Sequence, residues 1–400
     1  MNRRSFLFRS AQGLILLGTQ HFVPKTLASS LLQKNQIRFI VHIHFNGGWD
    51  VVLGPNPWIQ SSRPNEKDLF LGYAESEVID GRNLSVGPSM DPMKPYLEEM
   101  AIINGIFQDS PDGGMFHTAG QTIITCGNSS LPSLLEEVNQ QDQTPLGIIS
   151  TSRGFPKKNT FTVSQISKLR NDHTRIDELT ESMSGAFTHS LKKLNSEKKE
   201  VEKKLENLKN TSSYKLRPDH IANLFKLEIA SQAYYSISRN LDTHSNHLNS
   251  HLESQRRNWR EVADLVKTFK RTPYGKKGES LYAHTTFMIT SDFSRTPALN
   301  LSAGKDHDGS NNSIVLLGGG VKGGVVRGSS ELWLPHQNKR KRSWYMGSEF
   351  NFKTGQSEKG AGTPILPVDA LYTVMDICNL SLEKTEIHKL KPKIIPGIKS

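Results

Sequence analysis

The segment 286–328, TFMITSDFSRTPALNLSAGKDHDGSNNSIVLLGGGVKGGVVRG, constrains this chain more than any other. An apolar run ends in Ser291-Asp292, an Asp306-His307-Asp308 cluster follows, and a second apolar run breaks into Gly318-Gly319-Gly320. In α/β proteins polar residues gather at the carboxyl ends of parallel strands, where loops converge on a ligand. Asp292 and His307 offer a carboxylate oxygen and an imidazole nitrogen, donors suited to Zn²⁺ or a similar divalent ion.

The rest of the chain supplies a sheet on which such a rim can form. Residues 37–45 (IRFIVHIHF) read as a first strand running into Asn46-Gly47-Gly48-Trp49-Asp50, whose glycines permit a sharp turn. A short helix is expected around 95–100, a buried strand at 101–106, a helix over 117–126 and a short strand at 161–163. Residues 219–237 read as a helix, followed by Asn240-Leu241-Asp242-Thr243-His244 and a second long helix to about Phe269. Strands at 286–291 and 313–317, edge strands from Val325 and a closing amphipathic helix at 367–380 complete the pattern. Strands alternating with helices predict an α/β fold, a mainly parallel sheet with helices on both faces. Residues 168–215 are crowded with Lys and Glu and carry an interrupted apolar seam, so they read as a charged helical insertion.

At 400 residues the chain can bury a core without staples. Its net charge of +11 favours anionic surfaces such as headgroups or wall polymers, and the absence of any aromatic-interleaved basic stripe argues against nucleic acid. The run Lys339-Arg340-Lys341-Arg342 is expected to be a solvated loop, with a peripheral membrane or protein contact as the alternative. Cys126 and Cys378, each in an expected apolar helix, read as buried free thiols. Residues 1–30 resemble a twin-arginine export segment: Asn2-Arg3-Arg4-Ser5-Phe6-Leu7 precedes the short apolar stretch 13–18. Delivery to the periplasm, or export generally, by the twin-arginine machinery is the expectation, with 31–400 as the mature α/β domain.

Four separated segments carry metal-type donors: Asp50; His117; Asp242 with His244; and Asp292 with Asp306 and His307. Each has a structural explanation as a turn, cap or loop residue, but all fall at strand ends or helix starts. The pieces F-N-G-G-W-D (45–50), F-H-T-A-G-Q (116–121), D-T-H-S (242–245), T-S-D-F-S-R-T-P (290–297), D-H-D-G (306–309) and G-G-G-V-K-G-G (318–324) resemble, in this order, an exported family. It is the family labelled domain of unknown function 1501, a branch of the alkaline phosphatase and sulfatase superfamily.

The resemblance implies a metal site built from Asp50, Asp242, His244, Asp292 and His307, holding one or two divalent ions, Zn²⁺ first and Mn²⁺ or Ca²⁺ as alternatives. It places His117 and Thr118 at the first turn of the helix that carries the nucleophile, and Arg295 where it can clamp an anionic group or pair with a carboxylate. The implied activity is hydrolysis of phosphate or sulfate esters. The departures are specific. Phe293 stands where a ligating His follows the metal Asp, no Ser or Cys occupies the nucleophile position, and one residue rather than three separates Asp242 from His244. His247 and His251 are alternative ligands, with exposed helix histidines as the simpler expectation. Those departures support a second reading, a non-catalytic exported protein that keeps the fold and binds an anionic polymer or a protein partner.

Overall fold

Continuous apolar runs of six or seven residues, rich in β-branched side chains and bounded by Gly, Asp or Asn, form the centre of the molecule, because strands buried on both faces need no alternation. The structure is a computed structural model that describes residues 39–59, 72–108, 217–226, 228, 230–237, 241–275, 278–333, 344–380 and 390–400, with short strands at 125–126, 129–130, 148–150 and 160–162. The chain divides into two compact units, Met1–Gln36 with Ser164–Tyr214, and Ile37–Val163 with Lys215–Ser400. The first lies outside the described residues, and so do the export segment, the charged insertion, His117, Thr118 and the 339–342 basic run.

The second unit is built on eight strands: β1 (Phe39–Phe45), β2 (Ala101–Ile106), β3 (Ile148–Ser150), β4 (Thr160–Thr162), β5 (Gln232–Ile237), β6 (Thr285–Ser291), β7 (Asn312–Gly318) and β8 (Val325–Arg327). They lie in the order β8-β2-β7-β6-β1-β5-β3-β4. All neighbours are parallel except the two pairings of β7, so the sheet is mixed and mainly parallel. At its middle Phe45 of β1 pairs with Ser291 of β6 and with Ile237 of β5, so three parallel strands end together at one edge. The loops leaving that edge carry Asp50, Asp242 and Asp292.

Helices cover both faces. On one, Phe39 stacks on Phe225 of α1 (Pro218–Lys226) at 4.9 Å, and Phe287 meets Phe269 of α2 (His247–Arg271) at 5.1 Å. On the other, Ile40 and Met288, the next residues along the same strands, join Leu371, Val374 and Met375 of α3 (Pro367–Ile377) in one buried cluster. That alternation is the period-two geometry of a strand buried on both sides. Each such side chain contributes roughly 1.5–3 kcal/mol on burial.

Three expectations are corrected. The predicted helix 219–237 stops at Lys226, and Gln232–Ile237 is instead the strand beside β1. Glu228 turns at φ 57°, ending the helix, and the Tyr-Tyr-Ser-Ile run then suits a buried strand. Thr125–Cys126 pairs as a short strand with Ser129–Ser130, which removes the end of the expected helix and places Cys126 in a strand. The expected helix at 95–100 is a 3₁₀ run over Pro88–Glu99, where Pro92 and Pro95 remove the donors an α-helix needs. Cys378 is a buried free thiol after α3, as expected. Among the described residues no helix is long and apolar enough to cross a membrane.

Candidate metal centre

The rim begins with a turn only glycine can make. Gly47 and Gly48 take φ of 102° and 77°, and a Cβ on Gly47 would lie 2.8 Å from the backbone nitrogen of Asp242. This close approach brings the loop after β1 against the loop after β5. Arg295, fully buried, then ties them together. Its guanidinium donates to the carbonyls of Gly47, Gly48, Leu241 and Lys305 and to Asp242 Oδ1 at 2.9 Å. Of the two roles expected for Arg295, its donors are engaged in pairing with a carboxylate and bracing loops.

A short antiparallel ladder, Ser294–Arg295 against His307–Asp308, sets His307 beside Arg295. The 302–305 loop is also bonded to the chain before α2: Lys305 N donates to Thr243 O and His247 N to Ala303 O. His244 and His307 therefore meet. Their Nε2 atoms are 2.9 Å apart, and Asp242 Oδ1 lies 3.1 Å from His244 Nε2 and 3.4 Å from His307 Nε2. Four bonds of 2.0–2.1 Å to Zn²⁺ in tetrahedral geometry separate their donors by about 3.3 Å. The three atoms have the spacing of one face of such a tetrahedron, and the group is open to solvent on its outer side.

The surroundings fit a cation. His244 Nδ1 lies 3.2 Å from Asp306 Oδ1, a carboxylate that accepts from Nδ1–H and leaves the Nε2 lone pair facing inward. The Phe293 ring lies against His307, centroids 4.1 Å apart, so the residue that cannot ligate packs against one that can. A lone pair on His244 and an oxygen of the Arg295-paired Asp242 carboxylate thus converge with His307 Nε2.

Of the five metal ligands implied by the resemblance, the structure brings three together: Asp242, His244 and His307. Asp292 and Asp50 lie outside that group. Asp292 accepts from His44 Nε2 at 2.7 Å and from Gly47 N at 2.8 Å, and so supports the glycine turn. Asp50 is fully buried, 2.6 Å from Lys305 Nζ and 3.1 Å from His247 Nε2. Burial alone would raise its pKa, but Lys305 and then His247 hold it well below the usual carboxylate range. Asp308 faces inward, accepting from Ser310 and Tyr345 N, and burial pushes its pKa up to about 7.

His247 and His251 are buried, not exposed, which corrects the simpler expectation for them. They continue the inward face of α2 that carries Gln255, Trp259, Val262 and Phe269, a three-to-four-residue spacing that is the signal in the sequence for their burial. Lys305 has no comparable signal; a lysine between glycine and aspartate reads as solvated. Burial lowers the His247 pKa to about 4, with the Asp50 hydrogen bond acting in the opposite direction. The unfolded chain protonates this imidazole near 6.5. His247 thus contributes stability that is fully present above that pH and is lost as pH falls toward 4. Urea unfolding of the metal-free protein is expected to lose about 2 kcal/mol from this group between pH 7 and pH 5. The contribution of Asp308, whose raised pKa acts in the opposite direction over this range, is removed by taking the difference between wild type and His247→Gln; a flat difference would show that His247 charges without cost.

The fold and the rim together define a mixed α/β protein in which three side chains that could hold a metal ion meet at the carboxyl edge of its parallel strands. A family model described as "Protein of unknown function (DUF1501)" matches residues 232–342. That segment contains Asp242, His244, Asp292, Arg295 and His307, and four of the six motif pieces; the pieces at 45–50 and 116–121 lie outside it. No curated protein matches the chain. Among solved structures it is similar to a protein in the alkaline phosphatase superfamily from Vibrio parahaemolyticus (9% identity, 80% of this chain and 70% of that one, TM-score 0.31). It is also similar to the C-terminal periplasmic domain of EcEptC from Escherichia coli (10%, 87% and 83%, TM-score 0.35) and to BT1596, a 2-O GAG sulfatase (10%, 91% and 76%, TM-score 0.32). Likeness at that level leaves the architecture to be read from this chain's own sheet order.

Proposed function

We propose that this protein is an exported, divalent-metal-binding protein that hydrolyses phosphate or sulfate esters, with Zn²⁺ held by Asp242, His244 and His307. The observation that carries the reading is the convergence of these three donor atoms at separations of 2.9, 3.1 and 3.4 Å. A divalent ion held there supplies Lewis-acid polarisation of a phosphoryl or sulfuryl oxygen. The chain's own residues prepare the site. Asp306 keeps the Nδ1 proton of His244, Arg295 holds Asp242 in place, and Phe293 limits the rotation of His307. His117 and Thr118, outside the described residues, are proposed to supply the attacking group. Export by the twin-arginine route and an anionic small ester or polymer as the ligand belong to the same proposal. The family resemblance and the chain's positive charge support them.

Zinc titration of the purified protein is expected to show saturable binding that falls at least 100-fold in His244→Ala or His307→Ala, about 2.7 kcal/mol. Asp306→Asn is expected to weaken it 10- to 100-fold, the range for a partner that orients a ligand. Unchanged affinity in His307→Ala would end the reading.

One observation favours a non-catalytic binding protein instead. The Arg295 guanidinium is taken up by protein carbonyls and Asp242, and Asp50 is taken up by Lys305. Turnover of an aryl phosphate or aryl sulfate by the zinc-loaded protein, lost in His307→Ala, decides for hydrolysis; zinc binding without turnover of either decides for the binding protein.

A further inference from the structure

We infer that the side-chain ammonium of Lys305 is a built-in substitute for a second metal ion at Asp50, so that the chain takes up one divalent cation and keeps a latent second site closed. The inference deepens the proposed function by setting its metal count, and it rests on a different set of contacts.

The pocket behind the rim is closed and electrically balanced. Asp50 and Lys305 are both fully buried, and their charged atoms are 2.6 Å apart. Buried charges persist when paired and hydrogen-bonded, and here the pairing is one to one. The neighbouring imidazoles pack around the pair. His251 Nε2 lies 3.1 Å from Asp50 N and 3.0 Å from Gln255 Oε1, which accepts from Asp50 N at 2.9 Å, and His251 Nδ1 lies 2.8 Å from Thr243 Oγ1. The Thr243 hydroxyl then donates to His247 Nδ1 at 2.8 Å, and His247 Nε2–H donates to Asp50 Oδ2 at 3.1 Å. The Asp50 carboxylate is thus held by protein donors: Lys305 Nζ, His247 Nε2 and Val52 N.

A divalent ion has no place in that arrangement. It would meet the Lys305 ammonium at the Asp50 carboxylate and would require His247 to give up the proton it shares with Asp50. With the Lys305 side chain removed, the same carboxylate and imidazoles are left with an unpaired negative charge, the ligand chemistry a Zn²⁺ ion takes. The pocket then differs from the exposed centre in its donors, Asp50 and His247 against Asp242, His244 and His307.

Zinc stoichiometry of the full chain, measured by native mass spectrometry and by elemental analysis after desalting, tests this. One equivalent is expected for the wild type and two for Lys305→Ala. The double variant Asp50→Asn/Lys305→Met, which removes both buried charges together, is expected to keep one equivalent with affinity within about threefold. That variant also serves if Lys305→Ala does not fold. Two equivalents in the wild type, no gain in folded Lys305→Ala, or a tenfold loss of affinity in the double variant would each overturn the inference. A wild type that binds no zinc while Lys305→Ala binds one would sink the proposed function and the single-cation count, and leave standing that Lys305 closes the Asp50 site; zero in both would sink both.

Discussion

Arg295→Met is expected to lower the unfolding free energy by about 3–5 kcal/mol, one of the two largest effects we expect from a single substitution in the described residues. The guanidinium lies in a fully buried position and donates to four backbone carbonyls from three rim segments as well as to Asp242. Removing it leaves carbonyls of Gly47, Gly48, Leu241 and Lys305 without that donor, and each buried polar group left unpaired costs roughly 1–3 kcal/mol. Partial rehydration from the exposed Asp242 side keeps the total below the sum. Lysine is no substitute, because its three donors radiate from a point and do not form a planar fork. Urea denaturation of wild type, Arg295→Lys and Arg295→Met measures the loss. Zinc affinity should fall with it by 10- to 100-fold, since Asp242 loses the partner that holds it. A change under 1 kcal/mol in both variants would show that water reaches these carbonyls.

Gly304→Ala is expected to separate the two histidines of the metal centre. A Cβ at this position would lie 1.9 Å from the carbonyl carbon of His244, 2.0 Å from its oxygen and 2.3 Å from Ser245 N, all backbone atoms that no side-chain rotation can move away. The loops must therefore part. That strains the bonds from Lys305 N to Thr243 O and from Asn300 Nδ2 to His244 O that hold them together. Overpacking of this kind costs about 1–3 kcal/mol and here falls on the contact that aligns the ligands. The expected result is a loss of at least 100-fold in zinc affinity, about 2.7 kcal/mol, with far-UV circular dichroism unchanged. Calorimetric titration of the variant against wild type measures it. Retained affinity would mean that the metal does not bridge these loops.

The contrast between β1 and β5 shows what periodicity conveys. Residues 37–45 and 286–291 read as strands because buried central strands are continuous β-branched and aromatic runs closed by Gly or Asp. The 232–237 run is as buried as they are, yet it follows an amphipathic helix without a Gly or Pro between them. Its boundary rests on a left-handed turn at Glu228, a residue type that seldom marks one. Short apolar runs of this kind are ambiguous until their neighbours in the sheet are known.

The site divides in the same way. Asp242, His244 and His307 were legible as donors because their residue types and rim positions suit a cation. Their partners were not. The chemical identity of Asp50 and Asp292 is the same as that of Asp242, and only the fold places Lys305 against one and His44 against another. Amino-acid order by itself determined the α/β class, the central strands and the pool of candidate ligands, since these depend on local hydrophobic period and side-chain chemistry. Tertiary structure alone decided which carboxylate meets the rim histidines His244 and His307 and which are neutralised by Lys305 or His44, because that depends on residues 255 and 248 positions apart meeting in a buried, low-dielectric rim.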